Sequence, residues 1–116
     1  MTDLPNELIP DSAVDAALHY LAQDPHPVAV AKADVTRAEN IRKSAHARAF
    51  LTASGKTIEE KKALAELDPQ VEAAKKHEGD AIEKFEGERA RVTWATTITE
   101  LWRSVQANVR AAERVR

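Results

Sequence analysis

Arg89, Arg103 and Arg110 stand 14 and 7 residues apart and Arg114 follows four residues later, so on a helix their guanidinium groups line one face. Planar guanidinium forks match the oxygens of phosphate and carboxylate groups. A strip of them is the clearest means this chain has of holding an anionic partner. Arg37 and Arg48, 11 residues apart, repeat the device on an earlier segment. Gln106 and Asn108 are unusual neighbours for a packed seam, and suit hydrogen bonding at an interface or along a nucleic-acid backbone. The same arginines also have internal uses within reach, because Glu100 lies three residues before Arg103 and Glu113 three after Arg110.

Other chemistry is sparse. A carboxylate–histidine metal site in a helical bundle wants a glutamate three residues before a histidine. The residues three before His19, His26, His46 and His77 are Ala16, Gln23, Lys43 and Ala74. His77 and Asp80 share a face, yet a metal needs more ligands than that pair. The serines lack the strained elbow that exposes a nucleophile. Gly55-Lys56-Thr57 echoes the end of a phosphate-binding loop, but Phe50 stands where the earlier glycine belongs. With no cysteine in the chain, disulfides, zinc–thiolate sites and a thiol nucleophile are excluded. The expectation is a protein that is not an enzyme, with no cofactor, no metal and no small-molecule substrate.

The strip needs a helix to carry it. From Pro69 to Arg116 no internal proline occurs, and Asp68-Pro69 is a helix start: the carboxylate accepts from first-turn amides and proline suits the first position. Val71, Ala74, Ala81, Phe85, Val92, Ala95, Thr99, Trp102 and Val109 recur at helical spacing along it. Glu78 and Glu88 interrupt that seam, and Gly79 and Gly87 lie inside the pattern, either as solvent-side glycines or at a kink. A second seam, Trp94, Ile98, Leu101, Val105 and Ala112, opens only in the C-terminal half. That wide apolar arc needs either a better-covered site within the chain or a second chain, and on the second reading Trp94, Ile98, Leu101, Trp102, Val105 and Val109 form a homodimer interface.

The rest of the chain is placed to cover this helix. Residues 1–10 read as an extended arm, and a short helix capped by Asp11 or Ser12 presents Val14, Ala17, Leu18 and Leu21. Asp24-Pro25-His26-Pro27 ends it. Val28 to Ser54 is free of proline and glycine, with Ala31, Val35, Ala38, Ile41, Ala45, Ala49 and Thr52 on one face, and Phe50 and Leu51 add bulk near its end. Gly55 follows as a left-handed stop. Thr57 and Glu60 form a capping box for a short helix to about Glu66, whose Ile58, Leu64 and Ala65 can close the hairpin end. The expectation is one all-α domain over residues 1–116: an elongated antiparallel helical hairpin, with a short N-terminal helix and one very long C-terminal helix, assembled as a dimer.

Net charge is −2, but it is arranged in blocks. Residues 1–27 hold five acids and no Lys or Arg; residues 28–56 hold six bases against two acids; residues 57–87 five bases against nine acids; residues 88–116 six arginines against three acids. The blocks sum as −5 + 4 − 4 + 3 = −2. Facing helices can neutralise such blocks, and unneutralised ones become partner surfaces. No apolar run approaches the roughly 18 residues of a membrane span and no leader pattern opens the chain, which predicts a cytoplasmic protein without membrane contact.

The run Ile98-Thr99-Glu100-Leu101-Trp102-Arg103-Ser104-Val105-Gln106-Ala107-Asn108-Val109-Arg110-Ala111-Ala112-Glu113 resembles the C-terminal signature of small all-helical bacteriophage proteins encoded near DNA recombination genes. The shared pattern is a Trp-Arg pair, a polar Gln/Asn-Ala step and an Arg-Ala; Ala31-Lys32-Ala33, Arg42-Lys43, Gly55 and Leu67-Asp68-Pro69 fit it as well. The resemblance implies an accessory role in phage DNA recombination or replication, within the bacterial host cytoplasm, in contact with DNA or a recombination protein. Two other readings stand beside it. One is a structural or adaptor dimer that binds no nucleic acid, and the other an acidic inhibitor of a host DNA-processing enzyme.

Overall fold

The computed structural model describes residues 9–115, so the expected arm lies outside the described residues as far as residue 8. Four helices follow: α1 Asp11–Leu21, α2 Pro27–Thr52, α3 Ile58–Glu66 and α4 Pro69–Val115. No strand occurs among the described residues. The fold is all-α, with one very long C-terminal helix of 47 residues, on the order of 70 Å at 1.5 Å per residue.

The helix ends show which local signals the chain uses. At α1 the cap position falls on Pro10, whose carbonyl accepts from the amides of Ala13 at 2.9 Å and Val14 at 3.2 Å. Asp11 is the first helical residue and no side chain caps it. An aspartate there still favours the positive end of the helix dipole. Pro27 occupies the first position of α2, where its missing amide costs nothing. That helix ends at Thr52, two residues before Ser54.

Gly55 does not take up a left-handed conformation. Its requirement is steric, since a Cβ there would stand 2.8 Å from Glu60 Cβ and 2.9 Å from the Lys61 amide nitrogen. At α3 the Thr57 hydroxyl accepts from the Glu60 amide at 3.1 Å. The return bond of the capping box shifts by one residue, with the Glu60 carboxylate accepting from the Lys56 amide at 2.8 Å. At α4 the Asp68 carboxylate accepts from the Gln70 amide at 2.8 Å. The helix then continues through Gly79 and Gly87, where an added Cβ would meet nothing within 4 Å, so both are solvent-side glycines.

Packing divides the chain into two compact units. The first joins α2 and α3 to the part of α4 that ends at Gly87. Ala31, Ala38, Ala45 and Ala49 of α2 are buried, at steps of seven, seven and four that keep one face. Methyl side chains let the two backbones approach, and Ala45, Ala49, Ala65, Val71 and Ala74 close into one cluster against which Phe50 packs. The helices run antiparallel, because Ala31 shares a groove with Lys84 while Arg48 shares a recess with Gln70. Several bulkier side chains expected to cover this core point outward: Ile41 is 50% exposed, Leu51 78% and Ile58 60%. The alanine contact is too shallow to draw them in.

The second unit packs α1 against the part of α4 that begins at Glu88. Its cluster is Ala17, Tyr20 and Ala95, with Leu21, Val92 and Ile98 packed around it. Val14 and Thr99 are also buried. The Thr99 hydroxyl donates to the Ala95 carbonyl at 2.8 Å, which satisfies the one polar residue in this seam from within its own helix. The expected face of α1 is rotated, because Leu18 is 45% exposed and Tyr20 takes its place at 2%.

Candidate functional site

The two acids that interrupt the α4 seam each find a donor on the helix opposite. In the first unit Arg42 Nε donates to Glu78 Oε1 at 2.7 Å. In the second the Tyr20 hydroxyl lies 2.8 Å from Glu88 Oε1 and 3.0 Å from the Glu88 carbonyl oxygen. Arg91, one turn on, lies over the Tyr20 ring at 4.4 Å and approaches Glu88 at 3.7 Å. His26 meets the same ring edge-on at 4.9 Å between centroids. Burial raises the Tyr20 pKa above its ordinary value, and the Glu88 hydrogen bond and negative charge add to this while Arg91 opposes it. Nothing in the apolar periodicity of α1 singled Tyr20 out. The available signal was Glu88 itself, since an acid on a buried seam demands a donor across from it.

Those contacts spend Arg91 and Arg42 on the fold. The predicted strip is used differently. Arg103, Arg110 and Arg114 are exposed, and none makes an ion pair or hydrogen bond among the described residues. Glu100 and Glu113, although close in sequence, do not engage them. Arg89 is exposed too, but it has an interaction of its own. At 100° per residue Arg89, Arg103, Arg110 and Arg114 fall within an arc of about 60° on α4, next to the face that Ala95 and Thr99 turn to α1. Arg103 and Arg110 are roughly 10 Å apart along the axis and Arg114 a further 6 Å. Gln106 is half-buried and lies on the α1 side, and Asn108 is exposed on the far side from the arginines. The arginines therefore form a surface without either amide.

The residues expected at a dimer interface separate into two sets. Trp94 is 43% and Leu101 49% exposed. Ile98, Trp102, Val105 and Val109 are half-buried. The most exposed pair lies on the flank of α4 opposite the arginines, so an anion on one flank leaves the apolar flank accessible.

Arg37 and Arg48 belong to the other unit. Arg37 bonds Asp34 one turn back at 2.5 Å and lines a groove of about 430 Å³ with Ile41, His77, Asp80 and Lys84. Arg48 lines an adjoining recess of about 320 Å³ that shares Ile41 and His77. His77 and Asp80 thus face one groove, with two carboxylates and two bases around it in near balance. Among the described residues no group of three His, Cys, Asp or Glu could hold a metal ion, and no helix is long and apolar enough to cross a membrane. The chain matches no family model, no curated protein and no solved structure.

Proposed function

We propose that this chain is a non-enzymatic accessory protein that binds nucleic acid through the arginine face of the second half of α4. The observation that carries the reading is the unspent charge. Arg37, Arg42 and Arg91 are engaged by carboxylates of the chain, whereas Arg103, Arg110 and Arg114 stand exposed without a partner among the described residues. Guanidinium groups on one helix face contact successive phosphates without reading bases, which gives affinity that depends on salt more than on sequence. The resemblance of residues 98–113 to small helical phage proteins supports a setting in DNA recombination or replication in the host cytoplasm, where the partner is DNA or a recombination protein. The exposed Trp94 and Leu101 favour a second element of the reading, self-association through the opposite flank.

Fluorescence anisotropy with labelled single- and double-stranded oligonucleotides across a salt series tests the proposal. Arg103→Ala with Arg110→Ala should weaken binding at least tenfold at low salt and lower the slope of log K against log salt by about 2, near 0.9 per lost phosphate contact on duplex. Wild-type protein that binds neither form at low salt, or a double variant that binds as tightly as wild type, overturns it.

A further inference from the structure

The line that α1 follows on α4 does not stop where α1 stops. Tyr20 lies against Glu88 and Ala17 clusters with Ala95, so the two helices run antiparallel and the chain before Asp11 leads toward the C-terminal end of α4. From Tyr20 back to Asp11, α1 covers about 14 Å at 1.5 Å per residue, which brings its start level with about residue 97 of α4. Trp102, Gln106 and Val109 continue past that level within about 40° of Ala95, and all three are half-buried. Pro10 leaves α1 in an extended conformation, with φ −61° and ψ 144°. Ile9 before it is only 7% exposed, so the chain is still held against the protein as far back as this residue.

We propose that residues 1–8 lie along this line as an extended strap that sets Glu7 beside Arg103 and Asp3 beside Arg110 and Arg114, so that the chain's own carboxylates compete with a polyanion for the arginine face. The proposal rests on the nucleic-acid reading above and adds its regulation. The reach is sufficient. Ten extended residues before Asp11 span up to about 33 Å at 3.3 Å each, and Arg114 lies about 26 Å past residue 97. Asp3 and Glu7 are about 13 Å apart in an extended chain, which matches the roughly 10 Å between Arg103 and Arg110 and 16 Å between Arg103 and Arg114.

Composition selects this segment as the occupant. Pro5 and Pro10 oppose a helix there. Leu4 and Leu8 fall on one side of an extended chain and can meet Val109 and Trp102. Asp3 and Glu7 alternate with them, where the long arginine side chains of the adjoining flank reach them. No Lys or Arg occurs in residues 1–27, so the strap brings only negative charge to the arginines. A carboxylate offers a guanidinium fork the same paired oxygens as a phosphate. The short tether to α1 holds the strap at an effective concentration on the order of millimolar, so weak contacts suffice to keep it in place until a polyanion displaces it.

The absence of native cysteine makes the docking directly testable. In the full chain, Leu4→Cys with Val109→Cys should form a disulfide within one chain under mild oxidation. Leu4→Cys with Ala111→Cys, which is exposed on the opposite side of α4, should not. Equal cross-linking of the two pairs, none in the first pair, or a disulfide that joins two chains overturns the strap. Competition is read by anisotropy with labelled oligonucleotides. Leu4→Ser with Leu8→Ser, which leaves the charge unchanged, and Asp3→Asn with Glu7→Gln should each tighten binding roughly threefold or more at low salt, with the advantage shrinking as salt rises. Asp15→Asn with Asp24→Asn removes the same charge from outside the strap and should gain clearly less. Strap variants that bind no more tightly than wild type, or no more tightly than the variant at Asp15 and Asp24, overturn the competition and leave the nucleic-acid reading standing. Absence of binding by every one of these proteins overturns that reading, and the competition with it.

Discussion

The two units of this chain solve the same problem, packing a short stretch of α4 against an earlier helix, with opposite materials. The α2–α4 contact is a row of alanines, bounded by charged side chains that are paired within the chain: Arg42 with Glu78, and Glu66 with Lys75 and His46. The α1–α4 contact is centred on one buried tyrosine, held by a carboxylate and covered by an arginine. The first distributes its free energy over many small contacts, each near 0.8 kcal/mol per buried methylene-sized group. The second concentrates it in one side chain. Where the interface is spread out, Arg37 and Arg42 are engaged by carboxylates while Arg48 is exposed without an ion pair among the described residues; where it is concentrated, Arg91 approaches Glu88 while Arg103, Arg110 and Arg114 stand exposed beside an apolar flank.

Removing the tyrosine breaks this comparison most directly. Tyr20→Ala should cost about 3–5 kcal/mol, the range for deleting a large buried aromatic side chain. Hydrogen exchange should then accelerate across α1 while α2 and α3 keep their protection. Uniform loss of protection in both units would mean that the tyrosine is not a local determinant.

Within the alanine-lined unit, two glycine substitutions should have opposite signs. Gly55→Ala forces a Cβ against the Glu60 Cβ and the Lys61 backbone, and should destabilise by about 1–3 kcal/mol, as overpacking does. Gly79→Ala meets open space on a continuous helix and should stabilise by about 1 kcal/mol through helix propensity. Urea denaturation of the two variants checks both.

The smallest effects expected are those of pH, and they fall at opposite ends of the scale. Tyr20 has a raised pKa in the fold, so its contribution is complete below the ordinary tyrosine value of about 10 and is lost as pH rises through the folded value. Glu66 is lowered, first by its hydrogen bond from Lys75 and then by the Lys75 and His46 charges, against the opposing effect of burial. Its contribution is present above the ordinary glutamate value of about 4.3 and fades as pH falls through the folded value. Melting temperatures followed across pH should lose the alkaline dependence in Tyr20→Phe and part of the acid dependence in Glu66→Gln. An unchanged alkaline limb in Tyr20→Phe would remove Tyr20 from this account.

What the sequence determined by itself is everything set within a few residues. Helix type, the absence of strands among the described residues and the Thr57 and Asp68 caps follow from propensity, capping chemistry and spacing, because the groups involved are neighbours along the chain, whereas the continuity of α4 through Gly79 and Gly87 was left open by the sequence. The arginine face was legible for the same reason, since its members ride on one helix. The tertiary structure decided what depends on a second helix. Leu18 and Ile41 carried the same apolar signal as Val14 and Ala38, yet only the latter pair is buried: on α2 a contact made of small side chains accepts a narrower face than the periodicity offers, and on α1 Tyr20 takes the place of Leu18. Tyr20 joins the core because Glu88 supplies an acceptor 68 positions later, and a pairing over that distance leaves no mark in local spacing. Whether Glu100 and Glu113 would consume the strip was likewise undetermined until the side chains were placed. They do not, and that unspent charge is what makes the second half of α4 the part of the molecule to test.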